Sequence, residues 1–202
     1  MRRSFKIIVI TPKDFLKNEI PVLVKLFSLG LKHVHVRKPG HTKKEIAAYL
    51  TLIPTQFRQR VVLHSHYSLI KQFKLKGAHL SERSRSSERK NNYLRKEKIK
   101  VISTSFHSLR TLLKNEKKYK YVFLSPVFDS ISKPGYKSKL NLEKLLPLVK
   151  KSGRQVVALG GITNKNIETI KENGFAGAAV LGYIWQARDP IANYKKIILK
   201  IE

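Results

Sequence analysis

Histidines stand beside hydroxyl residues at points where short apolar runs end. The stretch "VVLHSHYSLI" over residues 61–70 leads from three apolar residues into His64, Ser65 and His66. Imidazole titrates near neutral pH, acts as a general acid or base, and binds transition metals. The stretch therefore fits a general base, polar residues that line a cavity, or a zinc-like site built from His35, His64, His66 and His79. We expect hydrogen-bonded cavity residues and no resident metal.

A further histidine follows another apolar run, in "STSFHSL". His107 there is our candidate catalytic acid or base, and Ser105, two residues earlier, is a candidate substrate-binding residue. A capping or solvated role is the alternative for His107, because Ser108 is placed to begin a helix.

Arg37 lies in "HVHVRKPG", two residues after His35. Strand side chains alternate between faces, so Arg37 and His35 share one face. The guanidinium suits a fork-like grip on phosphate or carboxylate. A surface ion pair is the alternative, but 13 acidic residues against 42 Lys plus Arg make that pairing scarce.

Glycines follow the last two apolar runs. Gly160 and Gly161 precede Asn164, which we expect to cap the next helix, and Gly182 follows "AAVL". Glycine lets the backbone approach a ligand closely, and the N–H groups that follow suit a phosphate. Taken alone the glycine pair would be a tight turn; together with Gly182 it predicts a phosphate site.

The segment 125–139, "SPVFDSISKPGYKSK", is rich in hydroxyl groups, glycine and lysine. Long connections of this kind are often lids or ligand clamps. We expect Ser130 and Ser132 to donate to phosphate oxygens and Lys133 to neutralise charge. A mobile polar loop is the alternative.

The elements that position these residues alternate between short β-branched runs and longer amphipathic segments. This alternation is typical of βα units. We predict strands at 6–10, 33–36, 61–64, 77–80, 100–104, 121–124, 155–159 and 177–181, and helices at 20–29, 43–52, 67–74, 108–115, 142–150, 164–173 and 191–201. The polar stretch 81–97 is only weakly periodic, so its helix should be short or mobile.

Eight strands with intervening helices in 202 residues predict an α/β fold, a single (β/α)8 TIM barrel. A doubly wound open sheet is the rival, but no G-x-G-x-x-G follows the first strand. In a barrel the chemistry belongs at the carboxyl ends of the strands, where the residues above lie.

The composition limits the classes of partner that the protein could bind. The formal net charge of +29 attracts anions, but no nucleic-acid motif accompanies it, so we expect no nucleic-acid partner. Cysteine is absent, and we find neither a signal peptide nor 18 consecutive apolar residues. These features favour a cytoplasmic protein with no membrane contact.

Taken together, "HVHVRKPG", "GAHLSER", "STSFHSL", "YVFLSPVFDSISKPG", "VVALGGIT" and "GAAVLGYIW" resemble the thiamine phosphate synthase/TenI family. The resemblance runs in order over nearly the whole chain and implies one barrel domain over residues 1–202. It also implies thiazole phosphate bound by Ser130, Ser132, Gly161 and Gly182, with Lys133 near the pyrophosphate end.

The diphosphate half of the family pattern departs in this chain. Family synthases carry Gln-x-Arg-x-Lys where this chain has His35-Val36-Arg37-Lys38-Pro39, and Asn-Asp-Arg where it has His64-Ser65-His66. Their second magnesium-binding Asp falls at Ser84, with Glu82 the nearest acid. Magnesium prefers oxygen ligands, so the imidazoles are poor substitutes.

Three hypotheses follow from the resemblance. The first is a TenI-like thiazole tautomerase in which His107 moves the proton and Arg37 holds the substrate carboxylate. The second is a thiamine phosphate synthase with a rebuilt diphosphate site that uses Arg37, Lys38, Lys133 and Glu82. The third is a non-catalytic binder of thiazole or thiamine phosphate. We expect substrate contacts from His35, His64, Ser105 and Gly160 as well, and no cofactor unless synthase activity brings magnesium. The sequence leaves a homo-oligomer open.

Overall fold

The chain forms a closed barrel of eight parallel strands in a computed structural model that describes residues 4–129, 131, 138 and 142–202. Each strand pairs with the next along the chain, and β1 pairs with β8, so the predicted (β/α)8 barrel is confirmed. The strands are β1 Lys6–Ile10, β2 Val34–Val36, β3 Val61–Leu63, β4 Gly77–Leu80, β5 Val101–Phe106, β6 Tyr121–Leu124, β7 Val156–Leu159 and β8 Gly177–Val180.

Helices surround the barrel. In the described ranges they are α1 Glu19–Ser28, α2 Lys43–Thr51, α3 Thr55–Arg58, α4 Leu69–Gln72, α5 Glu82–Arg85, α6 Glu88–Lys96, α7 Leu109–Leu113, α8 Leu142–Lys151, α9 Ile167–Glu172, α10 Gly182–Trp185 and α11 Pro190–Leu199. None of these helices has the length and apolar character needed to cross a membrane.

The polar stretch after β4 forms two helices, α5 and α6, where the sequence predicted one short or mobile helix. Ser81 begins α5 by accepting a hydrogen bond from the Ser84 amide at 3.2 Å. In α6 Leu94 is buried and Tyr93 is half-buried against the core. The other residues of this helix are polar or charged, so the sequence offers few apolar positions that mark where the helix begins and ends.

Two apolar clusters stabilise the barrel. The larger lies between the strands and the helices, and the smaller fills part of the barrel interior with Ile8, Ile10, Tyr121, Phe123, Val157 and Ala179. The remaining interior beside β2 to β5 is polar, with His35, His79 and Ser103 at most 1% exposed. Burying polar side chains is costly unless they are hydrogen-bonded, so this half of the barrel needs internal partners.

Candidate functional site

A pocket of about 340 Å³ opens at the carboxyl ends of the strands. Its size and its mixture of apolar and polar walls suit a small-molecule ligand. Nine of the residues named from the sequence line it: Arg37, His64, His79, Glu82, Ser105, His107, Gly160, Gly161 and Gly182. Ser130, Ser132 and Lys133 lie outside the described residues.

His107 stands at the rim of this pocket on the β5 side, and it is exposed. Its Nδ1 lies 3.1 Å from the Ser125 carbonyl oxygen and 3.2 Å from the Ser125 hydroxyl. A carbonyl oxygen can only accept, so Nδ1 carries the proton. In neutral His107 the other nitrogen, Nε2, therefore has a free lone pair that can accept a proton.

Arg37 follows β2 and lines the pocket on the same inward face as His35. Its amide donates to the Thr11 hydroxyl at 3.0 Å, which fixes the backbone. No described residue forms an ion pair or hydrogen bond with its guanidinium. Arg37 is also the one cationic side chain among the described residues of the lining. It is available to a ligand anion.

The turn after β7 presses against the segment that follows β6. Gly160 and Gly161 have φ of +100° and +65°. A Cβ on Gly161 would lie 2.3 Å from the Asp129 carbonyl oxygen and 2.6 Å from the Phe128 Cβ. No described residue accepts a hydrogen bond from the Gly161 amide, which leaves this N–H at the pocket wall.

The turn is braced by asparagines rather than by the predicted cap. Asn166 Nδ2 donates to the Gly161 carbonyl at 2.9 Å, and Asn166 Oδ1 accepts from the Thr163 amide at 2.9 Å. The prediction that Asn164 caps the next helix is wrong, because Asn166 precedes α9 and no side-chain cap bond forms. Asn164 instead accepts a hydrogen bond from the Tyr183 hydroxyl at 2.8 Å.

Three histidines meet beneath the pocket: His35 in β2, His64 directly after β3 and His79 in β4. His64 and His79 stack with ring centroids 4.2 Å apart, and both line the pocket. His35 lies behind them, fully buried, with its Nδ1 2.9 Å from His64 Nε2. His35 is therefore not placed to touch a ligand directly, although the sequence made it a candidate for substrate contact.

Hydroxyl groups are the other hydrogen-bond partners of these histidines. The Tyr121 hydroxyl lies 2.6 Å from His35 Nε2. His79 Nδ1 and Nε2 lie 2.9 and 2.8 Å from the hydroxyls of Ser103 and Ser105. Among the six ring nitrogens, His64 Nδ1 is the one that no described residue hydrogen-bonds.

The cluster is uncharged at neutral pH. Burial, with a smaller effect of the Arg37 charge, lowers the pKa of His79 to about 3. Burial is also the main cause that lowers the pKa of His35 and of His64 well below the usual value, reinforced by the neighbouring His79. Neutral imidazoles act as matched donors and acceptors, which fits their hydrogen-bonded arrangement.

The same three histidines offer nitrogen atoms within 4.8 Å of one another, close enough for a metal ion. Their nitrogens already have hydroxyl and imidazole partners, with His64 Nδ1 the exception. His66, the fourth histidine considered from the sequence, points elsewhere: its Nε2 donates to the His41 carbonyl at 2.9 Å. The arrangement fits a hydrogen-bonded network better than a metal site.

Magnesium does not fit the positions that the family resemblance assigns to it. The hydroxyl of Ser84, where the resemblance expects a carboxylate, lies 3.0 Å from both the Ser81 hydroxyl and the Lys90 ammonium. A cationic ammonium beside the site opposes a divalent cation. Glu82 is the one carboxylate among the described residues of the pocket lining.

Lys38, proposed as a diphosphate contact under the second hypothesis, is bound elsewhere. Its ammonium lies 2.6 Å from Glu19 Oε2 and 2.8 Å from the Asp14 carbonyl, and the residue is 2% exposed. Glu19 also accepts from the Tyr49 hydroxyl at 2.7 Å. This lysine fastens the loop after β2 to the surrounding helices and does not line the pocket.

Four residues of the site had no predicted substrate role: His79, which the sequence suggested only as a metal ligand or a cavity residue, and Ser103, Tyr121 and Asn166. Period-two alternation along β4, β5 and β6 would have placed the first three inside the barrel. Tyr121 lay within an apolar run, "YVFL", that gave no sign of a polar partner. Nothing in the sequence indicated the role of Asn166.

Comparisons with known proteins show which proteins this chain resembles. A family model described as thiamine monophosphate synthase, TMP-TENI, matches residues 7–184. A thiamine-phosphate synthase from Desulfitobacterium hafniense (strain DSM 10664 / DCB-2) is 28% identical over 198 residues, which cover 95% of this chain and 91% of that protein. The one from Latilactobacillus sakei is 34% identical over 91 residues, 44% of this chain and 41% of that protein.

Solved structures give the same match. A thiamine phosphate pyrophosphorylase from Bacteroides thetaiotaomicron shares 32% identity and a TM-score of 0.82, with 97% of both chains covered. The corresponding protein from Pyrococcus furiosus has a TM-score of 0.81 at 20% identity, covering 99% of this chain and 96% of that one. The second likeness concerns the fold alone.

Proposed function

Because the chain belongs to the thiamine monophosphate synthase family, TMP-TENI, we propose that it acts in thiamine biosynthesis on a thiazole phosphate, as a TenI-like tautomerase. The reaction moves a proton on a carboxythiazole phosphate and makes the ring aromatic. Only a proton moves and no charged leaving group departs, so the chemical step needs an acid or base and no metal, and binding needs a site for the phosphate.

His107 carries the proposal. Its Nδ1 proton is held by the Ser125 carbonyl, which leaves Nε2 free at the rim of the pocket. A histidine in this state takes a proton from a ring carbon and then, as the imidazolium, returns one to the carbon that must receive it. The apolar wall formed by Ile10, Leu159 and Ile162 would receive the ring.

The phosphate would bind at the turns after β7 and β8. The Gly161 amide faces the pocket without a described partner, and Gly182 begins α10 at the same wall. Barrels of this type often bind phosphate after their seventh and eighth strands. Ser130, Ser132 and Lys133 belong to the proposal as further phosphate contacts, and Arg37 as the contact of the substrate carboxylate.

Thiamine phosphate synthase activity is the second candidate. The relatives from Desulfitobacterium hafniense and Bacteroides thetaiotaomicron, which match nearly the whole chain, are named for it. Against it, Lys38 is held by Glu19, and Ser84 has Lys90 beside it where the resemblance expects a magnesium ligand. We propose a cytoplasmic enzyme without a resident metal.

The test supplies the non-aromatic carboxythiazole phosphate and follows aromatisation by ultraviolet absorbance. We expect turnover in the presence of a chelator, and a loss of about 10²–10⁴-fold in kcat for His107→Gln. His41→Gln, a histidine outside the pocket lining, is the matched control and should keep full activity.

Other outcomes select the alternatives. Formation of thiamine phosphate from the pyrimidine diphosphate and thiazole phosphate in the presence of magnesium would identify the protein as a thiamine phosphate synthase. Calorimetric binding of thiazole phosphate with no turnover in either assay would identify a binder. Tautomerisation at an unchanged rate in His107→Gln would contradict the role of that residue.

A further inference from the structure

A chain of three hydrogen-bonding side chains leads from the barrel interior to the pocket. It runs from the Tyr121 hydroxyl to His35 Nε2 at 2.6 Å, and from His35 Nδ1 to His64 Nε2 at 2.9 Å. Tyr121 and His35 are 1% and 0% exposed, whereas His64 is half-buried and lines the pocket.

The tautomers in this chain follow from the direction of the phenol hydrogen bond. Burial raises the pKa of Tyr121, against a smaller opposing effect of Ser103, so the phenol keeps its proton. With the phenol as donor, the acceptor among the described residues is His35 Nε2. A neutral imidazole has one N–H and one acceptor nitrogen, so His35 carries its own proton on Nδ1 and donates to His64 Nε2.

His64 must then carry its proton on Nδ1. This atom has no hydrogen-bond partner among the described residues. It is not fully buried, so a ligand in the pocket can reach it. The ring lies in the pocket wall, near enough to Arg37 for that charge to lower the pKa of His64. A neutral N–H donor and a guanidinium thus stand together on the β2–β3 side.

We propose that His64 Nδ1–H and the Arg37 guanidinium form a subsite for a single carboxylate, with Tyr121 and His35 as positioning residues that hold His64 in the donating tautomer. A carboxylate is the fitting class because Arg37 supplies the one positive charge among the described lining residues. A diphosphate carries more charge than this side of the pocket neutralises. The subsite lies across the barrel from the glycine turns, and it rests on the proposed function, which places the phosphate there.

The experiment compares two stable ligands by calorimetry: the aromatic carboxythiazole phosphate and the same thiazole phosphate without its carboxylate. For His64→Phe we expect affinity for the carboxylated ligand to fall about tenfold or more, the effect of losing a hydrogen bond to a charged group. Affinity for the ligand without a carboxylate should stay unchanged. His64→Asn, whose amide N–H lies near the Nδ1 position, should restore part of the difference.

A spectroscopic measurement tests the tautomer without relying on ligand binding. Nitrogen NMR should find the His64 proton on Nδ1 in the wild-type protein and a shift of that proton toward Nε2 in Tyr121→Phe. The Tyr121→Phe variant should also lose part of its preference for the carboxylated ligand, but less than His64→Phe loses. Tyr194→Phe, a buried tyrosine outside the barrel interior, is the matched control and should change neither.

Three results would overturn the subsite. They are a His64 proton on Nε2 in the wild-type protein, an equal loss of affinity for both ligands in His64→Phe, and stoichiometric zinc bound by the three histidines. A wild-type protein that binds neither ligand would overturn the proposed function, and the subsite with it. If the wild-type protein binds both ligands and His64→Phe weakens both equally, the subsite alone is overturned.

Discussion

Position 161 requires glycine for two separate reasons. Its φ of +65° lies in the left-handed region, and an added Cβ would collide with the Asp129 carbonyl at 2.3 Å and the Phe128 Cβ at 2.6 Å. The first reason concerns strain in one residue. The second concerns the packing of two loops that together shape the phosphate side of the pocket.

Gly161→Ala separates these two effects when it is compared with Gly153→Ala. Gly153 has a similar φ of +64°, but no atom of the described residues lies within 4 Å of its added Cβ. We expect Gly153→Ala to cost about 1–2 kcal/mol of unfolding free energy from backbone strain alone. Gly161→Ala should cost about 1–3 kcal/mol more, the usual effect of overpacking, and weaken thiazole phosphate binding at least tenfold.

Urea denaturation and calorimetry measure both quantities. Equal destabilisation of the two variants, with unchanged ligand affinity for Gly161→Ala, would contradict the close approach of the two loops. The same comparison tests whether the glycine turn contributes to ligand binding, because Gly153 does not line the pocket.

At the scale of elements, the loop after β2 is tied to two helices by one buried ion pair. Lys38 in this loop contacts Glu19 at the start of α1, and Glu19 also accepts from Tyr49 on α2. Lys38 further lies 4.9 Å from the centre of the Phe15 ring. Burial lowers the pKa of Lys38, and the hydrogen bond and charge of Glu19 oppose that shift. The pair fixes the backbone next to Arg37.

Lys38→Met should destabilise the protein by about 3–5 kcal/mol, because it leaves the Glu19 carboxylate buried without its cation. The double variant Lys38→Met, Glu19→Leu should recover most of this loss. Lys13→Met removes the lysine of an exposed pair with Asp14 and should cost less than about 1 kcal/mol. Urea midpoints compare all three, and a single variant as stable as the double would contradict the buried pair.

For the whole molecule, the barrel interior determines how stability depends on pH. His35, His64 and His79, which lie in or directly after three consecutive strands, share a polar half of the barrel and are held neutral by burial, while the other half is apolar. The unfolded chain exposes these imidazoles to water, where their ordinary pKa is about 6.5. Folding therefore excludes protons that the unfolded chain binds in mild acid.

We expect the free energy of unfolding to fall as pH decreases from about 6.5 towards 3. The pKa of His79 is about 3 in the folded protein, so its contribution is present above about 6.5 and lost progressively below that value. Each such histidine adds a slope of about 1.4 kcal/mol per pH unit in this window. His79→Gln should reduce the slope by that amount and leave the curves parallel above about pH 7.5.

Urea unfolding at a series of pH values provides the measurement. A wild-type stability that stays constant from about pH 7 to about pH 4.5 would contradict the neutral cluster. A slope that is unchanged in His79→Gln would instead assign the proton uptake to other groups.

The sequence by itself determined the architecture, because eight β-branched runs separated by amphipathic segments form a closed parallel sheet with few alternatives. The same alternation determined that Arg37 and His64 reach the mouth of the barrel, since strand ends and side-chain parity follow from local pattern. It also located Gly160, Gly161 and Gly182 at the pocket wall.

Only the tertiary structure decided which polar groups meet. The sequence could not show that Tyr121 forms a hydrogen bond with His35, 86 residues away in the chain, or that Lys38 pairs with Glu19 while its neighbour Arg37 lines the pocket. Those partnerships depend on the order and register of strands around the barrel and on the packing of helices outside it. Local sequence fixes the face on which a side chain lies, whereas its partner across the barrel is set by closure of the sheet.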